Sequence, residues 1–155
     1  MVVIRTQEGF IHGVAAKGEY AAGMRRFPMG KAKIGERPIK NAIREFKEET
    51  GAMPTGLKLV GKVKWTVQNY REMGPAEFFI HVFLGNGING ELGTGTGELL
   101  DLKFTKEIPK DMLQFHAEIL RRIELNQKFK GQFVDDKRFN LKSYKIAVKH
   151  QERPR

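Results

Sequence analysis

The 155-residue chain has no cysteine, which excludes disulfides and any thiolate-held metal or redox centre. A reducing compartment, the cytoplasm, is the matching expectation. Long apolar runs are also missing: nothing approaches the roughly 20 residues that span a bilayer, and no signal-peptide pattern opens the chain, so no membrane partner is expected. Ser143 is the only serine and has no visible histidine–acid arrangement, so serine nucleophile chemistry is unsupported. The 4 histidines, His12, His81, His116 and His150, show no paired spacing suited to a transition metal. They read as structural or surface residues.

Acids are scarce as well. There are 18 Asp and Glu against 28 Lys and Arg, for a formal net charge of +10. Such a surface attracts polyanions, nucleotides or RNA among them. Against that background a local acidic cluster stands out: Glu45, Glu48 and Glu49 within the stretch GKAKIGERPIKNAIREFKEETGA, residues 30–52.

With 40% hydrophobic residues, the chain suits one domain around one core, expected over residues 1–150, with 151–155 as a frayed tail. MVVIRT and FIHGVAAKG read as short strands about a turn at Glu8 and Gly9. GLKLVGKVKWTVQNY and PAEFFIHVFLG read as a long antiparallel pair turning near Met73, Gly74 and Pro75. NGINGELGTGTGELL, rich in Gly and Asn, is expected to be a loop. Met112, Ile119, Leu120 and Ile123 recur at helical spacing and predict a helix over 111–127. KFKGQFV and RFNLKSYKIAV then form a closing hairpin over Asp135 and Asp136. The fold class is thus α/β (α+β), a mixed sheet with two helices.

The first helix begins at Pro38, whose missing N–H costs nothing at that position, and stops at Gly51. Ile39, Ala42, Ile43 and Phe46 form its buried stripe. Glu45, Glu48 and Glu49 share an arc of roughly 100° beside that stripe. Lys40, Arg44 and Lys47 are expected on the opposite flank, leaving the acids uncompensated by helical neighbours. A hard divalent cation, which takes oxygen ligands and shares them with phosphates, would supply the missing charge. Helical geometry alone leaves that cation site and a solvated acidic face both open.

Gly30, Glu36, Arg44, Glu45, Glu48, Glu49 and Gly51 together match the Nudix box, G-x5-E-x7-R-E-U-x-E-E-x-G-U, at every charged and glycine position, with Phe46 in the first apolar slot. The chain therefore resembles the Nudix hydrolases, which cleave nucleoside diphosphates linked to another moiety using Mg²⁺ or Mn²⁺. The resemblance implies an α/β/α sandwich with a mixed sheet and a catalytic helix. It implies Glu45, Glu48 and Glu49 as metal ligands, Glu49 and Glu45 foremost as ligands or water activators, with Glu36 and Gly30 completing the metal site. Arg44 would orient a neighbouring glutamate, and Lys31 would neutralise phosphate charge. In many members a glutamate beyond the box joins the catalytic group, and Glu98 in TGTGELLDLKF holds a comparable place.

RFPMGKAKIGE resembles the corresponding segment of MutT-type enzymes, and NQKFKGQFVDDKRFNLKSYKI resembles the end of the oxidised-purine triphosphatases. These likenesses imply release of pyrophosphate from a nucleoside triphosphate such as 8-oxo-dGTP, with Arg26 and Phe27 as substrate-binding residues. Departures accompany them: Met29 replaces a usual glycine, Lys33 a usual acid, and Arg37 a usual helix cap. The residues that read the oxidised purine in that group align with Phe115 and His116, and a stacking tryptophan aligns with Leu113. Tyr70 stands where dinucleoside polyphosphate hydrolases carry a tyrosine, and the basic surface suits a triphosphorylated RNA 5′ end. A binding module without catalysis would be expected to have lost carboxylates that this chain keeps.

Overall fold

Val2 and Ile4 point to one core and Val3 to another, because successive strand residues face opposite sides of a sheet. Val2 and Ile4 meet Ala42 and Phe46 of helix α1 (Pro38–Thr50). Val3 shares its cluster with Leu113, Phe115, Ile119 and Leu120 from and beside helix α2 (Gln114–Glu124). The two helices therefore cover opposite faces of one sheet, the expected sandwich. The computed structural model describes residues 1–68, 70, 72–93, 97–136 and 138–149. The expected tail 151–155 and His150 lie outside the described residues.

The strands are β1 (Val2–Thr6), β2 (Gly9–Ala15), β3 (Arg25–Arg26), β4 (Met53–Thr55), β5 (Lys58–Val67), β6 (Ala76–Gly85), β7 (Gly87–Asn89), β8 (Leu99–Thr105), β9 (Lys128–Asp135) and β10 (Leu141–Lys149). Their order in the main sheet is β10-β9-β5-β6-β1-β2-β3, with β8 also paired to β2. Most pairs are antiparallel, but β1 runs parallel to β6 and β5 parallel to β9. The sheet is mixed, as expected. The β5–β6 pair and the β9–β10 hairpin stand where the hydrophobic alternation put them. Asp136 Oδ1 accepts the backbone N–H groups of Arg138 and Asn140, which fixes the hairpin turn.

Helix α1 keeps its expected limits. Gly51 is its left-handed stop (φ 77°), donating its N–H to Lys47 O at 2.8 Å, and Arg37 makes no side-chain cap at the start. Two expectations change. Helix α2 begins at Gln114 rather than 111, because Asp111 O and the Leu113 N–H bond to the backbone of Arg25. The stretch 86–100 is not wholly loop: β7 pairs antiparallel with β4, and Leu99 already starts β8. Short pairings of this kind involve too few residues to leave a periodic signal.

Candidate functional site

Helix α1 runs beside the loop that follows β3, and the approach of the two creates the site. A side-chain carbon added to Gly30 would lie 2.1 Å from Glu45 Cδ, so only glycine lets this loop lie against the Glu45 carboxylate. Glu98 arrives from the segment just ahead of β8, whose backbone is tied down by the Ala16 N–H to Glu98 O at 3.0 Å. Glu45, Glu49 and Glu98 each offer a carboxylate oxygen, and these oxygens lie within 4.8 Å of one another. Glu98 is exposed and Glu49 fully buried, so the cluster runs from the surface inward.

Arginine organises the acids. Arg44 Nε and Nη2 grip the two oxygens of Glu36 at 2.8 and 3.0 Å. Its Nη1 reaches Glu45 Oε1 at 2.8 Å and Glu48 Oε2 at 3.2 Å. The expected segregation of acids from bases on α1 is thus corrected. The long Arg44 side chain folds over the acidic arc instead of pointing away, since a guanidinium carries five donors and suits several carboxylates at once. Inside, Arg26 Nη1 lies 3.3 Å from Glu49 Oε2, and it also donates to Phe27 O at 3.1 Å. Arg26, expected to bind substrate, lies on the cavity wall but spends its guanidinium on Glu49.

These contacts set the protonation of the site. Burial pushes Glu49 up to about 7, against the pull of Arg26 and with repulsion from Glu45 and Glu98. Burial also raises Glu45, against its hydrogen bonds to Arg44. The Arg44 hydrogen bonds hold Glu36 down at about 2, so Glu36 is a permanent counter-charge that orients Arg44. A buried carboxylate raised by its neighbours and left short of cationic partners fits a hard divalent ion, which supplies the missing positive charge.

The acids border a cavity of about 640 Å³. Its other walls are aromatic: Tyr20, Trp65, Tyr70 and Phe78, with Leu113 and His116 from the α2 side. Lys31 Nζ stands 5.1 Å from the Tyr70 ring centroid and 5.7 Å from that of Phe78, a cation held over ring faces beside the acidic end. Trp65 stacks on Phe115 at 4.7 Å and donates its indole N–H to Asp135 Oδ2 at 2.9 Å. Tyr20 donates its hydroxyl to the same oxygen at 3.2 Å. Asp135 is buried and pushed up to about 6 by that burial.

The sequence-expected residues therefore divide. Glu45, Glu49 and Glu98 converge; Glu48 and Glu36 attach to them through Arg44; Gly30 and Lys31 edge the cavity. Phe27, expected to stack on a substrate base, is fully buried with its ring stacked on His116 at 5.6 Å, so that face is taken. The pairing of Arg26 with Glu49 and the anchoring of two cavity aromatics by Asp135 had no local signal, since the partners lie 23 and 70 or more residues apart.

A family model for the Nudix domain matches residues 1–123. The chain belongs to the Nudix family. It is MutT-like in fold, with a Nudix pyrophosphohydrolase as its enzyme class. The structure of a MutT protein from Bacillus halodurans is similar at 21% identity and a TM-score of 0.76, with 94% of each chain covered. A MutT Nudix hydrolase from Burkholderia pseudomallei aligns at 16% identity and a TM-score of 0.64, covering 79% of this chain and 96% of that one. A MutT protein from Methanosarcina mazei Go1 aligns at 19% identity and a TM-score of 0.58, covering 81% of this chain and 91% of that one. No curated protein matches the chain.

Proposed function

We propose that this Nudix protein hydrolyses a nucleoside triphosphate to the monophosphate and pyrophosphate, using Mg²⁺ or Mn²⁺ held by Glu45, Glu49 and Glu98. The carrying observation is the convergence of those three carboxylates at one end of an aromatic-walled cavity. Such an ion, when bound, activates water and offsets charge on the phosphate oxygens. Arg44 keeps Glu45 and Glu48 turned toward the cavity, with Glu36 locking the guanidinium from behind. Arg26 holds Glu49 in place and favours its ionised form. Gly30 keeps the entry loop close, and the Lys31 ammonium is placed to meet phosphate charge while the aromatic walls take the base.

The MutT relatives support a purine triphosphate as substrate, 8-oxo-dGTP included. One observation favours a second reading, a dinucleoside polyphosphate: Tyr70 lies on the cavity wall under Lys31, where a second base would find a stacking face. A panel of canonical and oxidised triphosphates, a dinucleoside tetraphosphate, ADP-ribose and a triphosphorylated RNA, scored by kcat/KM, separates these. Pyrophosphate release from a triphosphate, lost with chelator and cut at least about 100-fold by Glu49→Gln, is the expected result. Turnover unchanged by that substitution removes Glu49 from the reaction and sinks the assignment.

A further inference from the structure

His116 is fully buried on the first turn of α2 and forms part of the cavity wall, away from the family's metal-binding carboxylates. Its two ring nitrogens have different fates. Nδ1 lies 3.0 Å from the backbone nitrogen of Phe27. A backbone N–H only donates, so Nδ1 is the acceptor, and the single ring proton sits on Nε2. A doubly protonated ring has no lone pair to offer Phe27, and burial, with Arg26 nearby, independently holds His116 well below the ordinary histidine range. The Nε2–H is therefore a permanent donor.

That donor has no hydrogen-bond partner among the described residues, although Nε2 is buried. A buried donor left unmatched costs about 1–3 kcal/mol. Ring rotation does not relieve it. Phe27 stacks on the imidazole at 5.6 Å and 9°, and Phe115 meets it edge-on at 4.3 Å and 83°. Turning the ring over would also strip the Phe27 N–H of its acceptor. The open space beside His116 is the cavity, whose remaining walls are flat aromatic faces suited to a planar ring.

We propose that His116 Nε2–H reads the base of the bound nucleotide by donating to an oxo oxygen, which makes the protein select oxo-bearing bases over bases that lack a carbonyl there. This rests on the nucleotide reading above. A fixed neutral donor matches a carbonyl acceptor and is left unpaired by a ring C–H or opposed by an amino group. The aromatic walls contribute affinity without distinguishing bases, since every base has a π face. His116 is a specificity residue and takes no part in phosphate chemistry.

The test needs no hydrolysis. Metal-free protein labelled with ¹⁵N in histidine is titrated with the product-like monophosphates dIMP and 2′-deoxypurine monophosphate, which differ at the 6-oxo group and its N1 proton. The His116 Nε2–H resonance is expected to move downfield with dIMP and to stay in place with the analogue that lacks the oxo group. In parallel, kcat/KM for dITP should exceed that for the 6-unsubstituted triphosphate by about 10- to 100-fold. His116→Leu should reduce that ratio to within a few-fold, while His116→Gln, which keeps an acceptor for Phe27 and a donor for the base, restores part of it. Equal responses to both monophosphates, or no response to either, overturn the inference and leave an internal water as the partner of Nε2. Triphosphate cleavage reports the parent reading separately: dIMP binding to His116 without any cleavage ends the hydrolytic reading and leaves base recognition standing.

Discussion

Arg26 and Glu49 pair across 23 residues of sequence, with Glu49 fully buried and Arg26 Nη1 at 3.3 Å from its Oε2. Removing the cation leaves a buried carboxylate with no direct counter-charge, which costs about 3 kcal/mol in comparable pairs. Arg26→Ala in metal-free buffer should lose stability of that order at pH 9 and much less at pH 6, where Glu49 takes up a proton and needs no partner. Denaturant unfolding at the two pH values checks this. A loss equal at both would show that Arg26 acts through its contacts with Phe27 and Met29 instead.

Metal binding and protons are linked at Glu49. Its folded value of about 7 lies above the ordinary 4.5, so the metal-free folded state holds the extra proton between those limits. Stability of the metal-free protein from this group is therefore greatest below pH 4.5 and falls as pH rises through 7. A bound cation needs the ionised form and reverses the trend. The Tm increase produced by saturating Mg²⁺ should grow from pH 5.5 to pH 8, and calorimetry near pH 6.5 in buffers of different ionisation enthalpy should detect proton release. A Tm increase independent of pH would place the ion elsewhere.

Gly30→Ala is expected to damage activity and spare the fold. The added carbon would meet the Glu45 carboxylate at 2.1 Å, the movable end of a side chain, so the backbone survives while Glu45 is displaced. A shift of about 1 Å in a catalytic group costs on the order of 100-fold in rate. Turnover should fall by that order with Tm within a few degrees of the parent. Full activity would mean that Glu45 has no fixed position in the reaction.

Asp135 offers a stability test remote from the acids. Burial lifts its carboxyl from 3.8 to about 6, so its charged form is disfavoured in the folded state and stability falls as pH rises through that window. Asp135→Asn keeps an oxygen for the Trp65 and Tyr20 donors and removes the charge. Its Tm relative to the parent should improve between pH 4 and pH 8, and Trp65 emission should lose any pH-dependent step near 6. A Tm difference that does not change with pH would contradict the assignment.

How much of this was legible in the sequence depended on distance along the chain. Glu45, Glu48 and Glu49 share one helix, and the spacing of Ile39, Ala42 and Phe46 oriented that helix before any coordinates were known. Arg44 was misread because an angular projection places the Cα and ignores the reach of a long side chain, which carries its guanidinium back over the acids. Strands β5, β6, β9 and β10 alternate over 8–10 residues and were visible. Strands β3, β4 and β7, of 2–3 residues, were not. Glu98 was found by likeness to the family, whereas the tautomer of His116 and the hold of Asp135 on Trp65 exist only once distant segments have met.

The two parallel pairings impose an order on assembly at the ribosome. Strand β1 has no parallel partner until Phe83 and its neighbours have been made, and β5 waits for Phe129 to cover its outer edge. Such pairings of high sequence separation form slowly, because the intervening chain must be closed first. A nascent chain stopped before β9 would present the edge of β5 unpaired, an invitation to strand addition by another copy. Synthesis of the C-terminal third is thus what seals the sheet against aggregation, even though the residues proposed to bind metal are all made before it.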